Sequence, residues 1–271
     1  MTPMTGGEGW DEQAVLRAFE EWVWCPDGSE VIEVAEYRLA FWPSGFGGAA
    51  HVERIAANRA ARELVDEING LARARGVGEV IWCVSPLTRP AGLAEELVEQ
   101  GATVRTESAL MSRPVPGNGQ LNLGPTPGVT VHRVTDLERL TDFRRISAAV
   151  FVQPMPDDDA LAAEAARIDP DDPTGCRFVA YVDGVAAGTG GIGIPTPGGA
   201  VLFGGATLPA LRRRGAHRAV LAARARWAYD HGADVMLVKG RLATSAPTFR
   251  RAGFVSHGSV RELAAQLTSS A

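Results

Sequence analysis

The chain has 271 residues, 45% of them hydrophobic and 22% charged, with a formal net charge of −5. That composition supplies apolar material for two cores, and the acidic balance excludes nucleic acid as the main partner, because binding phosphates needs a basic surface. No apolar run approaches the ~20 residues that cross a bilayer, so no membrane partner is expected either.

The first residues, MTPMTGGEGWDEQ, lack the basic start and apolar stretch of an export leader. A cytoplasmic location is therefore expected. Residues 10–24 place Val15, Leu16, Phe19 and Val23 at helical spacing. Residues 30–42 read as one β-rich segment and 48–55 as another strand. The spacing of Ala57, Ala61, Leu64, Ile68 and Leu71 predicts a helix over 56–75, ended by Gly76 and Gly78. EVIWCVS (79–85) reads as a buried strand, 90–100 as a short helix and 103–113 as a strand. PVPGNGQLNLGPTPG (114–128) carries four Pro and four Gly and reads as a linker. The chain is accordingly divided into domains 1–124 and 128–271.

In the second part a strand is expected at 129–134, then a helix at 137–150 capped by Asp136, and another at 158–168. RFVAYVDG, VAAGTGGIGIP and AVLFGGAT read as three antiparallel strands, with Asp183-Gly184 as a hairpin turn. A helix at 215–231, a strand at 234–238, a helix at 245–252 and a strand at 254–262 complete the chain. Residues 72–102 and 227–254 share one order: helix end, Gly, apolar strand, loop with Ser and Pro, short helix, Gly. That order indicates two copies of one fold. The three cysteines, Cys25, Cys83 and Cys176, form neither a CxxC pair nor a Cys/His cluster, so no metal site is expected. Cys83 and Cys176 read as buried thiols.

The chemistry concentrates in GGATLPALRRRGAHRAVLAARARWAYDHG, residues 204–232. A strand ends at Thr207, and Arg212-Arg213-Arg214-Gly215-Ala216-His217 opens an amphipathic helix. A helix N-terminus offers unpaired N–H groups and partial positive charge, which suits a pyrophosphate. Gly215 keeps the backbone bare where phosphates must approach. The arginines add charge and forked donors. An Arg-rich helix start also occurs as a merely solvated face; here the surrounding order of strand, Pro, basic Gly turn, helix and strand argues for the anion site.

On these residues, 129–262 resembles the GNAT acyl-CoA N-acyltransferase superfamily. Its pyrophosphate motif, Q/R-x-x-G-x-G/A, is matched by 212–217, with His217 standing at the small last position. Ala206-Thr207 falls where the family pairs strand backbone with the pantetheine arm, and Phe249-Arg250-Arg251-Ala252-Gly253-Phe254 resembles its later Tyr-x-x-x-Gly-Phe segment. The resemblance implies an α/β (α+β) fold of two tandem GNAT-like domains, each a mixed, mostly antiparallel sheet flanked by helices. The N-terminal copy is degenerate, lacking a basic Gly turn, and serves the acceptor site or a structural role. Implied coenzyme contacts are Ala206, Thr207, Arg212, Arg213, Arg214, Gly215, Ala216, His217 and Phe249, with acetyl-CoA or another acyl-CoA as cosubstrate and no metal. The implied reaction is direct attack by an amine on the thioester in a ternary complex. A small-molecule amine is the favoured acceptor, and a monomer or homodimer the expected state.

No catalytic residue is assigned. Family members often place a basic Glu on the strand corresponding to AVLFGGAT (200–207), which has no carboxylate, and a proton-donating Tyr where this chain has Phe249. Asp157, Asp158 and Asp159 are read either as the start of a helix or as a source of the base. His231 and Ser245 read as helix-terminal residues. Trp10, Trp22, Trp24, Trp42 and Trp82 line an acceptor pocket or, as such residues more often do, a core. Two alternatives stand beside a small-molecule acyltransferase: a non-catalytic acyl-CoA-binding or regulatory module, and a protein N-acetyltransferase.

Overall fold

The structure, a computed structural model, describes residues 9–267. In chain order its elements are α1 (Glu12–Glu21), β1 (Glu30–Glu33), β2 (Arg38–Phe41), β3 (Ala50–Glu53), α2 (Ala61–Ala74), β4 (Glu79–Val84), α3 (Leu93–Glu99), β5 (Thr103–Pro114), β6 (Val129–Arg133), α4 (Leu137–Phe151), α5 (Asp158–Ala165), β7 (Gly175–Val182), β8 (Val185–Thr196), β9 (Gly199–Thr207), α6 (Ala216–Asp230), β10 (Val235–Arg241), α7 (Ala246–Arg251) and β11 (Val255–Gln266). This is the expected α/β class of mixed, mostly antiparallel sheet flanked by helices. The repeated order also stands: α2-β4-α3-β5 is echoed by α6-β10-α7-β11.

The chain packs as two compact units. Among the described residues the first comprises Gly9–Met111 and 239–267, and the second is Ser112–Val238. β5 and β10 each run across the division. The sequence division at 124–128 follows the repeat, whereas packing assigns α7 and β11 to the first unit.

In the first unit the strand order is β1-β2-β3-β4-β11-β5. β11 lies antiparallel to β4, from Arg261↔Val84 to Gln266↔Glu79. Its Leu263 enters a core with Val80, Trp82, Leu64, Ile68 and Leu97. Alternation along the strands turns Ile81 and Ala264 to the opposite face. Residues 30–42, expected as one segment, form a hairpin, Glu33 pairing with Arg38 across a turn closed by Val34 N–H to Tyr37 O, 3.1 Å. The helix expected from 56 begins at Ala61: Ala56 instead forms a β-bridge with Arg89, and the Ala56 and Ala57 N–H groups donate to Glu36 O and Arg89 O at 2.7 and 3.1 Å.

The second unit has the order β10-β9-β8-β7-β6. Leu140, Phe143 and Ile146 of α4 pack with Leu161 of α5 and Val179 of β7. Asp136 caps α4 by accepting from Arg139 N–H, 2.8 Å. At the β7–β8 turn Asp183 and Gly184 have φ 48° and 81°, the left-handed pair that a type I′ hairpin requires. On β8, a Cβ at Gly190 would lie 2.7 Å from Val220 Cγ1 and 3.0 Å from Arg224 Cζ, so this glycine lets α6 sit down on the strand.

The 114–128 stretch is packed rather than a free linker. Val115 N–H donates to Asp234 O (2.8 Å), Leu121 is buried, and Arg218 of α6 donates to Leu123 O and Pro125 O at 3.1 and 3.2 Å. Arg226 reaches Asn118 O at 3.3 Å. The segment carries few apolar side chains but many bare carbonyls, and arginines of α6 bind those. The three cysteines are free and of intermediate exposure; Cys83 and Cys176, expected as buried thiols, are shielded enough that burial raises the pKa of both.

Candidate functional site

The second unit builds the strand–turn–helix from β9, its exit loop and α6. β9 pairs in parallel with β10 from Gly199↔Val235 to Leu202↔Val238, and the ladder goes no further although β9 continues to Thr207. On its other side β9 pairs with β8, where the register shifts: Phe203 faces Gly191, yet Ala206 faces Thr189. The extra residue is accommodated at Gly204-Gly205, with Gly204 at φ 58°. This is a β-bulge, a device that re-aims a strand and recurs beside functional sites. The Gly-Gly pair within an apolar strand is the sequence signal for it, and reading AVLFGGAT as a plain strand passes over that signal.

Beyond Thr207 a short 3-10 turn (Pro209–Leu211) leads to the arginines. Arg213 lies at φ 64° and Gly215 at φ 96°, both left-handed. For a non-glycine residue such as Arg213 this costs about 1 kcal/mol. Left-handed residues in such a turn swing successive N–H groups to one side and form an anion-binding concavity. Gly215 is the N-cap of α6, and no side chain caps the helix. A Cβ at Gly215 would lie 3.0 Å from Thr126 Cγ2, so φ and space both select glycine. The helix start thus has no side-chain cap, and the helix dipole places partial positive charge there.

The arginines differ in circumstance. All three are exposed. Arg212 Nε donates to Thr207 O at 3.4 Å, tying the turn to the strand end. Arg214 is ion-paired with Asp183 of the β7–β8 turn. Ala206 and Ala216 are buried, and Thr207 is partly buried. His217 is largely shielded, and burial, with Arg224 adding repulsion, pushes its pKa down to about 4, so the imidazole is neutral at pH 7. A neutral ring at the motif's last position adds no charge to the site.

Behind the turn stands Arg224, 1% exposed. Its Nη1 donates to Gly191 O at 3.4 Å, while Nε and Nη2 find no hydrogen-bond partner among the described residues. Burial lowers its pKa to about 10, which still leaves it charged at pH 7.

The fold therefore gathers Ala206, Thr207 and Arg212 through His217 in the second unit. Phe249 belongs to the first unit, where it is buried on α7 with its ring 5.2 Å from Phe254. Asp157 accepts from Ala160 N–H at 2.8 Å and is the N-cap of α5, with Asp158 and Asp159 in its first turn. Trp82 is core. Trp24 and Trp42 meet edge to face at 5.6 Å, and Trp42 stacks on His51 at 3.6 Å. Among the described residues no helix is long and apolar enough to cross a membrane, and no group of three His, Cys, Asp or Glu side chains is arranged to hold a metal ion.

A model of the acetyltransferase (GNAT) family matches residues 139–254. No curated protein matches the chain. Among solved structures, a GCN5-related N-acetyltransferase from Kribbella flavida superposes with a TM-score of 0.68 at 17% identity, covering 97% of this chain and 98% of that one. A tandem GNAT protein from the clavulanic acid biosynthesis pathway gives 0.64 at 13% identity, with 96% and 88% covered. A GCN5-related N-acetyltransferase from Sphaerobacter thermophilus gives 0.60 at 15%, with 95% and 86% covered. At these identities the likeness is one of fold, while the family match rests on sequence and contains the turn just described. The chain thus carries a domain of the acetyltransferase (GNAT) family over residues 139–254, within a fold shared along nearly its whole length with these N-acetyltransferases.

Proposed function

We propose that the protein is an N-acyltransferase that moves an acyl group, acetyl in the first instance, from acyl-coenzyme A to the amine of a small molecule by direct attack. The single observation that carries this reading is the start of α6, which no side chain caps, with Gly215 at φ 96° and three exposed arginines immediately before it. In this reading the backbone of Gly215, Ala216 and His217 and the side chains of Arg212, Arg213 and Arg214 hold the pyrophosphate. The backbone of Ala206 and Thr207, past the end of the β9–β10 ladder, receives the pantetheine arm as an added strand. The thioester supplies the activated acyl group. The chain supplies position, and holding two reactants in attack geometry accounts for a large part of such a rate.

The carboxylate-free strand β9 supports a second reading, a domain that binds acyl-coenzyme A without transfer. Release of free thiol from acetyl-CoA across a panel of small amines separates the two. Turnover with at least one amine is expected. Tight binding of the coenzyme with no thiol released above the amine-free rate by any amine would establish the second reading and overturn the first.

A further inference from the structure

Strand β9 is open to solvent at one place along its length. Gly199 to Leu202 are buried, Phe203 and Gly205 are exposed with Gly204 half-buried between them, and burial resumes at Ala206. The window opens where the ladder to β10 ends, one residue past Leu202↔Val238. Phe203 is 39% exposed there.

A single exposed aromatic ring is ordinary on a protein surface, but the surroundings of this one are built from glycine. The residue across from it on β8 is Gly191. A Cβ at Gly191 would lie 2.2 Å from Phe203 Cε2 and 2.5 Å from Cζ, so the ring rests over bare backbone. At Gly193 a Cβ would come within 3.8 Å of Cε1, and Gly193 in turn faces Gly175 of β7. Gly190 is turned to Val220 and Arg224 of α6, so alternation puts Gly191 and Phe203 on the opposite face of the sheet. That face is the one α4 covers, and a Cβ at Gly204 would lie 3.6 Å from Phe143 Cζ of that helix. The nearest charge across the sheet is already engaged: Arg177, opposite Gly191 on β7, lies over the Phe143 ring and pairs with Glu164, which also holds Arg144. The Phe203 ring is thus supported by glycine backbone on one side and left open on the other.

We propose that Phe203 is the specificity residue for the acceptor, and that the acceptor is an amine carried on an aromatic ring that packs against Phe203. On the coenzyme reading, on which this rests, the pantetheine arm enters from the start of α6, pairs with Thr207 and Ala206, and runs toward the point where β9 and β10 close. Its thioester then stops beside Gly204 and Phe203. A ring held on Phe203 keeps the attached amine within reach of the acyl carbon. The amine nitrogen bonds to that carbon, the carbon–sulfur bond breaks, and the proton lost by the amine ends on the departing thiol. Aromatic pairs gain from offset or edge-on geometry beyond the area they bury, so the site distinguishes an aromatic amine from a saturated one of similar size.

Calorimetric titration of benzylamine and of cyclohexylmethylamine into the full chain saturated with coenzyme A tests this. Benzylamine is expected to bind about threefold or more tightly than its saturated counterpart, although the saturated ring is the more hydrophobic. Phe203→Leu should bring the two affinities within about twofold of each other, and Phe203→Tyr, which keeps a ring, should retain the preference. Binding of neither amine, equal or tighter binding of cyclohexylmethylamine, or a preference that survives in Phe203→Leu overturns the proposal and leaves the coenzyme reading standing. Failure of coenzyme A itself to bind overturns that reading and this proposal together. The comparison on the unaltered protein decides by itself where a variant fails to fold.

Discussion

Arg224 shows how much one side chain reveals that composition hides. It lies on the inward face of α6, where periodicity alone calls for an apolar residue, and two of its nitrogens find no hydrogen-bond partner among the described residues. Replacing a buried, poorly paired charge by an apolar group of similar size is commonly neutral or stabilising. Arg224→Met is therefore expected to raise unfolding free energy by about 1 kcal/mol in urea denaturation; a clear loss of stability would show that the guanidinium is well satisfied. The two shielded histidines make a pH prediction. His51 and His217 both have folded pKa values pushed to about 4, by burial first and then by Arg105 and Arg224 respectively. Both values lie below the unfolded value, so the unfolded chain binds protons first as pH falls. Their contribution to stability is complete above about pH 6.5 and is lost progressively toward pH 4. Proton NMR of the imidazoles should find both neutral at pH 6, and titration of either near 6.5 would contradict the account.

Among the elements, helix caps and the Asp-Gly hairpin could be read directly from residues, because each is decided within four positions. Asp136 and Asp157 cap as their spacing predicts. Asp157→Ala should cost about 1 kcal/mol of stability as the loss of a cap and leave acyl transfer unchanged. A fall of two or more orders of magnitude in turnover would identify a general base instead. The 30–42 hairpin and the late start of α2 were not legible, since both depend on pairing beyond the local pattern: β1 with β2 across the Val34–Tyr37 turn, and Ala56 in a bridge with the distant Arg89. The turn at 212–217 was legible because glycine, arginine and helix periodicity coincide there. The bulge at Gly204-Gly205 had its signal in two adjacent glycines, but its register needs the partner strand β8.

Over the whole molecule, the repeat in sequence and the units of packing do not coincide. Alternation in 255–266 tells that Leu263 faces a core, and nothing local tells which one. It packs against Val80 and Trp82 of the first unit. Leu263→Ala should destabilise by about 2–5 kcal/mol, the usual range for a buried leucine, and should speed hydrogen exchange in β4 before β7 or β8. Faster exchange confined to β7 and β8 would contradict the assignment of β11 to the first unit. The central claim rests on the second unit, in the turn between β9 and α6. Calorimetric titration of acetyl-CoA into the protein and into the double variant Arg214→Glu with Gly215→Glu tests it most directly. Binding is expected to the unaltered chain and to be abolished in a variant that remains folded by circular dichroism. Unchanged affinity in that folded variant would contradict it.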